Sequence, residues 1–469
     1  MSILRPNLLT QFKIVVIACL SVLVCAAQAN AQSLLRDTEI EETLREFTNP
    51  ILRAGGLSPS SVDIYLVNDP SLNAFVTRGQ NIFLHSGLIL EADNPNQLKG
   101  VIAHETGHIT GGHIVRSDYG NRSAYGSMLI AAGLGLAAIL AGEGEAGALI
   151  LGGSQQFGVL EALAYSRVNE AAADQYAFEY MENTGQSADG LIQFFEKFRA
   201  QEVLSQARRY PYFRGHPLSS DRIDALRERV RDSEHTNKMD TPEEIHKHKM
   251  MQAKLRGFLE GPQIVYSRFP LSDQSQYARY ARAVANFKQA DLKQAIAEID
   301  SLIEEEPDNP YFYELKAQIL YESGQGAAAI APAQDALDRK PDSPLLMIAL
   351  AQAKMETHDT GDYNDAEQLL KVALQREPNN GNGWRILADV YAEQGQEALA
   401  KYATAERFYA HGDINSARDF AQRAQEDLPR DLPQWRRASD IVVVAETQLA
   451  TKRGRRRGGP KPLVSITTR

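Results

Sequence analysis

Cysteine is nearly absent from this 469-residue sequence: there are two, Cys19 and Cys25, and both fall near the start of the chain. That segment has the form of an export signal. Arg5 and Lys13 precede an apolar run, Ile14–Val24, and Ala29-Asn30-Ala31 gives a small-x-small cleavage site, so the cut is expected between Ala31 and Gln32. The mature chain then has no cysteine. This excludes a disulfide-stapled fold, and it excludes a thiolate as a metal ligand. Positive charge is also in deficit. Losing the two basic residues of the signal takes the formal net charge from −10 to −12, which argues against nucleic acid as a partner. Long uncharged runs are few. The one beyond the signal, Ser123–Gly142, is rich in Ala and Gly and is followed by a second apolar run, Ala146–Leu151. It is expected to form a buried or membrane-facing helical hairpin, a lid near a cleft, over 123–151. The remaining composition, 43% hydrophobic and 23% charged, suits globular domains, and the length calls for two or three of them.

The chemistry is concentrated in Val101–Ile109, which reads Val-Ile-Ala-His104-Glu105-Thr-Gly-His108-Ile, an H-E-x-x-H pattern. Asn94-Pro95 opens a helix here, with an asparagine cap and proline at the first helical position. Four residues apart, His104 and His108 share one helix face and can bind one tetrahedral ion, expected to be a single Zn2+ per chain. Glu105 stands beside that ion, where a general base for water is needed. His113 is nine residues from His104, half a turn off the ligand face, and is not expected to bind the same metal.

A zinc site of this kind needs a third protein ligand. Glu170 and Asp174 lie four apart in a helical, Ala-rich stretch, Leu160–Tyr180. They can supply a carboxylate ligand and an acceptor behind an imidazole. An ordinary exposed acidic helix face has the same pattern, and the residues alone leave both readings open. His216, in Gly215-His216-Pro217, is kept out of a helix by the proline; such a loop histidine is normally solvated, though it can approach a metal.

Before the motif, residues 33–54 have helical spacing and Ser61–Val67 alternates as a strand. Asn73–Val76 and Asn81–His85 read as a hairpin across Arg78-Gly79-Gln80, with His85 a strand residue. A small sheet thus precedes the metal helix. Its outer strand can hydrogen-bond an extended peptide, or be purely structural. After it, residues 188–209 form an amphipathic helix. Thr241-Pro242-Glu243-Glu244 starts another that runs to about Leu259, on which His246 and His248, among lysines, read as a solvated face. Gly261–Ser275 reads as linker.

From Gln276 a repeat sets in. Ala290, Gly324, Gly361 and Gly412 stand as small residues between paired helices. Five residues on in each case is alanine (Ala295, Ala329, Ala366, Ala417), twelve on is Leu302, Ala336, Ala373 or Ala424, and seventeen on is proline (Pro307, Pro341, Pro378, Pro429). This is a tetratricopeptide pattern with a helix added around Gln396–His411. Such solenoids bind protein segments on a concave face. The tail beyond Lys452 is basic and expected to be disordered, solvated or in peripheral contact with an anionic membrane.

Taken in order, Asn73-Ala74-Phe75, His104-Glu105-Thr-Gly-His108, Ser166-Arg167-x-x-Glu170-x-x-Ala173-Asp174 and Gly215-His216-Pro217 resemble the zinc peptidase family that includes the CAAX-prenyl endopeptidase and HtpX. The resemblance implies Glu170 as third zinc ligand, Glu105 as base, and Asp174 behind the ligands. His216 matches a histidine that approaches the zinc from a mobile loop. With the signal peptide and the repeats, it implies a Gram-negative periplasm, and outer-membrane β-barrel proteins or their assembly machinery as partners. The long Ala/Gly hairpin, the added repeat helix and the basic tail depart from the family pattern.

The expected layout is a signal peptide over 1–31 and an α+β zincin-like metallopeptidase domain with a small sheet over 32–235. A helical linker over 236–275, an all-α tetratricopeptide solenoid over 276–450 and a basic tail over 451–469 follow. The expected reaction is water-mediated hydrolysis of peptide bonds, with Arg222 or His216 as donor to the oxyanion. A rival reading is an assembly chaperone whose metal site is latent or regulatory.

Overall fold

The computed structural model describes residues 34–77, 79–113, 167–204, 216 and 218–456. The signal segment, the 123–151 hairpin and residues 457–469 of the basic tail fall outside these residues; the start of that tail corrects the expected disorder, because the helix Pro433–Arg456 runs through it. The chain divides into two compact units, residues 1–36 with 45–240, and residues 37–44 with 241–469.

The first unit contains a four-stranded sheet: β1 (Leu34–Leu35), β2 (Asp63–Val67), β3 (Ala74–Thr77) and β4 (Asn81–His85), in the order β1-β2-β4-β3. β3 and β4 form the expected hairpin, with Ala74 opposite Leu84 and Thr77 opposite Asn81. β2 runs parallel to β4, because β3 takes the outer position and β4 returns between it and β2. Alternation decides the faces. Ile82 and Leu84 are fully buried on one side of β4, while Tyr65, Phe83 and Phe75 stack across three strands with centroid separations of 5.0 and 4.9 Å.

Helix α1 (Thr38–Ala54) lies between β1 and β2 in sequence, and α2 (Ser86–Glu91) follows β4. Next comes α3 (Pro95–Thr110), whose first turn forms as its sequence dictates: Asn94 accepts from the Gln97 backbone N–H at 2.9 Å and Pro95 occupies the first helical position. α3 is buried almost along its whole length, including Lys99, which pairs with Asp240 at 2.8 Å. Around it stand α4 (residues 167–183), α5 (Asp189–Leu204) and α6 (Ser220–Arg231).

The second unit begins with α7 (Pro242–Leu259), opened by the complete Thr241–Glu244 capping box. Where a linker is expected, the chain instead forms α8 (Pro262–Arg268), and both α7 and α8 pack against α9 (Gln276–Lys288). The residues from 241 onward therefore form the first layer of this unit. His248 corrects the expected solvated face: it is 1% exposed, because α7 buries Met250, Met251, Ala253 and Leu255 as well. His246 lies half-buried, its Nδ1 3.2 Å from the Tyr277 hydroxyl.

The repeat arithmetic holds in the packing. Ala295, Ala329, Ala366 and Ala417 are fully buried, as are Leu302, Ala336, Ala373 and Ala424. Small side chains at these positions let neighbouring helices approach closely. Ala290, Gly324 and Gly412 take the left-handed turns, at φ of 61°, 76° and 71°. Gly361 does not; it lies in the first turn of the helix Thr360–Arg376, and His358 makes the preceding turn at φ 55°. The added helix is present as Glu397–Ala410, packed against both Gly381–Glu393 and Ile414–Asp427.

One buried polar cluster belongs wholly to the second unit. Lys254 Nζ lies 2.7 Å from Asp37, 3.5 Å from Glu39 and 3.6 Å from Glu314, while the Tyr280 hydroxyl donates to Glu39 at 2.7 Å. Burial pushes the Glu39 and Glu314 carboxyls up against the pull of Lys254, Glu314 to about 7. Lys254→Met is expected to leave these carboxylates without their cation and to cost about 3–5 kcal/mol, measured by urea unfolding at neutral pH.

Candidate metal centre

α3 places the His104 and His108 rings 4.8 Å apart, one turn from each other on a buried face. The carboxylate that meets them comes from α4. The two helices touch at Gly107, the fourth residue of the motif. A Cβ there would stand 2.9 Å from the Ala173 carbonyl oxygen and 3.1 Å from Ala173 Cα. Those are backbone atoms that cannot step aside, so glycine is what lets Glu170 reach the histidine pair.

The resulting distances have a common scale. His104 Nε2 lies 3.1 Å from His108 Nε2 and 3.3 Å from Glu170 Oε2, and His108 Nε2 lies 3.4 Å from Glu170 Oε1. His216 Nδ1 lies 3.3 Å from His104 Nε2 and 3.2 Å from Glu170 Oε2. One ligand atom from each of these four residues falls within 4.8 Å of all the others. A tetrahedron with metal–ligand bonds of 2.0–2.1 Å has edges of about 3.3 Å, so the donor set fits a small tetrahedral ion. His216 is buried here, not solvated.

Glu105 is fully buried, and among the described residues neither of its oxygens has a hydrogen-bond partner; His216 Nε2 lies 3.5 Å from its Oε1. Burial pushes its carboxyl up, partly opposed by His216 and His104.

Behind the donors is a charged brace. Asp174 Oδ1 lies 2.9 Å from His104 Nδ1, and Arg222 donates to Asp174 through Nε at 2.6 Å and Nη2 at 2.8 Å. Arg222 Nη1 lies 3.2 Å from Glu170 Oε2. Arg222, one of the two expected oxyanion donors, is therefore committed to carboxylates, and its guanidinium also lies over the Phe195 ring. Burial depresses the His104 imidazole, but hydrogen bonds and charge from Asp174 and Glu170 more than reverse this, holding it up to about 9. Burial and the charge on His104 push His108 well down. Burial raises Glu170 and Asp174, and His104 with His216 for the first, and Arg222 with His104 for the second, bring both below the usual carboxylate range.

The helical spacing on which His113 was set aside does not hold. It is not among the four clustered residues, yet it does not lie half a turn away either. α3 ends at Thr110, and the chain turns back so that His113 Nδ1 lies 3.0 Å from His108 Nδ1. His85 ends β4 as expected, its Nδ1 2.9 Å from the Ser71 hydroxyl.

Residues 35–230 match the family model described as peptidase family M48. This segment is an M48 peptidase domain. The tetratricopeptide repeat model matches residues 280–344 and 359–412. A beta-barrel assembly-enhancing protease from Yersinia pestis is 25% identical over 394 residues, covering 82% of this chain and 79% of that protein. The protein of the same name from Escherichia coli (strain K12) is 25% identical over 363 residues, 75% of this chain and 72% of its own. Metalloprotease LoiP from the same organism is 29% identical over 209 residues, 44% of this chain and 73% of its own. The chain is thus a metalloprotease, an M48 domain followed by repeats, and its clustered histidines and Glu170 form a candidate metal site.

Two predictions follow from this geometry. In the metal-free M48 domain His104 keeps its proton up to about pH 9, and a metal ion must displace it. Apparent metal affinity is therefore expected to fall about tenfold per unit as pH drops through neutrality, and to level off above about pH 9. Calorimetry in buffers of different ionisation enthalpy should count at least one proton released per ion. Separately, Gly107→Ala is expected to force α3 and α4 apart, costing about 1–3 kcal/mol of stability and weakening metal retention in a chelator challenge.

Proposed function

We propose that this chain is a periplasmic zinc endopeptidase that hydrolyses misassembled or stalled outer-membrane β-barrel proteins. The tetratricopeptide helices recruit those clients or the machinery that assembles them. The observation that carries the catalytic part is the near-tetrahedral set of His104, His108, Glu170 and His216 donors beside a buried Glu105 carboxylate that has no hydrogen-bond partner among the described residues. Two or three imidazoles with one carboxylate suit zinc. The clients are read from the printed names of the relatives, and export from the signal-like first thirty-one residues.

Bound zinc supplies a Lewis acid that polarises the scissile carbonyl and acidifies water. Glu105 takes the water proton and delivers it to the departing amine; its upward-shifted carboxyl suits both the loading and the release of that proton. Asp174, clamped by Arg222, holds the His104 ring through Nδ1. β3, the outer strand beside β4, has an edge that can pair with an extended client segment.

His216 would take the fourth donor position on a bound ion, the one that water needs. We read this as a latent state in which the loop histidine latches the centre. Withdrawn from it, His216 is a candidate for oxyanion donor beside Arg222, which also holds Asp174 and Glu170. The latent state also keeps the chaperone reading alive, with hydrolysis secondary to client binding.

Glu105→Gln is expected to lower peptide hydrolysis by about 10²–10⁴-fold with metal content unchanged; undiminished hydrolysis under metal-replete conditions would rule the mechanism out. Cells carrying only the Glu105→Gln chain separate the two readings, since full complementation assigns the biological role to binding. Cleavage by His216→Ala should rise if the histidine is a latch; a loss rejects the latch and supports a role in the reaction.

A further inference from the structure

Each imidazole of the α3 pair has an outer nitrogen that must be satisfied, and the two are satisfied differently. His104 Nδ1 faces the Asp174 carboxylate at 2.9 Å. His108 Nδ1 faces a third imidazole, His113 Nδ1, at 3.0 Å, with the rings edge to face at 80°. The local sequence, Gly111-Gly112-His113, is shaped for this. Gly112 turns the chain back at φ 65°, a conformation that favours glycine. Gly111 leaves the space into which the returning ring folds: a Cβ there would stand 2.4 Å from His113 Nε2. The His113 ring is buried, 8% exposed.

We propose that His113 is a positioning residue for the metal centre, its neutral imidazole accepting a hydrogen bond from His108 Nδ1 and so fixing the tautomer and plane of that ligand. This rests on the reading of His104, His108 and Glu170 as metal ligands. His108 presents Nε2 to the donor cluster, so its proton belongs on Nδ1. The facing nitrogen of His113 must then be a lone pair, which places the His113 proton on Nε2. A neutral acceptor orients the ring as a carboxylate does but adds no negative charge. The two histidine ligands are thus braced unequally, His104 by an anion and His108 by a neutral ring.

The full chain tests this by zinc titration against a competing chelator. Asn places its Oδ1 where the His113 Nδ1 stands, so His113→Asn should keep wild-type affinity. His113→Leu removes the acceptor and should weaken zinc binding about 10–100-fold. His113→Gln carries its amide one bond further out and should fall with Leu. Thermal midpoints of the metal-free proteins report folding independently. Leu binding as tightly as wild type, or Asn falling as far as Leu, overturns the proposal. If Leu fails to fold, equal affinities for Asn and Gln overturn it. Wild type and Glu170→Ala serve as the outer control: equal zinc affinity for those two would instead sink the ligand assignment on which the proposal rests.

Discussion

The backbones of α3 and α4 meet at Gly107, and the centre exists because of that contact. Two histidines one turn apart on a helix are only two donors. A third must come from elsewhere in the chain, and a glutamate is short enough that its helix has to come almost to backbone contact. Glycine at the one position of the motif that faces Ala173 allows this. Glu105, His104 and Glu170 are all buried here, so every charge placed there must find its counterpart within the protein or in an ion.

That requirement organises the rest of the site. Glu170 and Asp174 are buried anions, and Arg222 answers both of them. In the absence of metal the proton held by His104 supplies the remaining positive charge. A divalent ion bound there would take over that task and displace the proton. Arg222 thereby holds both anions in place.

Much of this was legible in the residues. Asn94-Pro95 opened α3, H-E-x-x-H fixed the paired imidazoles, alternation separated the two faces of β4, and the spacing of Ala295, Ala329, Ala366 and Ala417 located the buried contacts of the repeats. What escaped reading has physical reasons. A helical-wheel argument for His113 assumed a helix that in fact ends at Thr110, and Gly111-Gly112 was the signal that it would. The lysines around His248 suggest a solvated face, but α7 packs within its unit and also buries Lys254 among acids nearly the length of a domain away in sequence. Arg222 offered no pattern of its own: which carboxylate an arginine meets is decided by tertiary packing. The place of β3 at the sheet edge likewise depends on the crossing from β2, which alternation does not encode.

The assignment of residues 37–44 to the second unit, with β1 before them and residue 45 after them in the first, has a consequence for assembly. Glu39 meets Tyr280 across 241 positions of sequence, so the repeats cannot finish their first layer until the whole peptidase domain has been synthesised. Closing so long a loop carries a modest entropic cost but a slow search. Neither half of this enzyme is a single uninterrupted stretch of chain. Severing it near residue 240 would strand Lys254 on one fragment and its acidic neighbours Asp37 and Glu39 on the other, so neither fragment would hold the complete buried cluster.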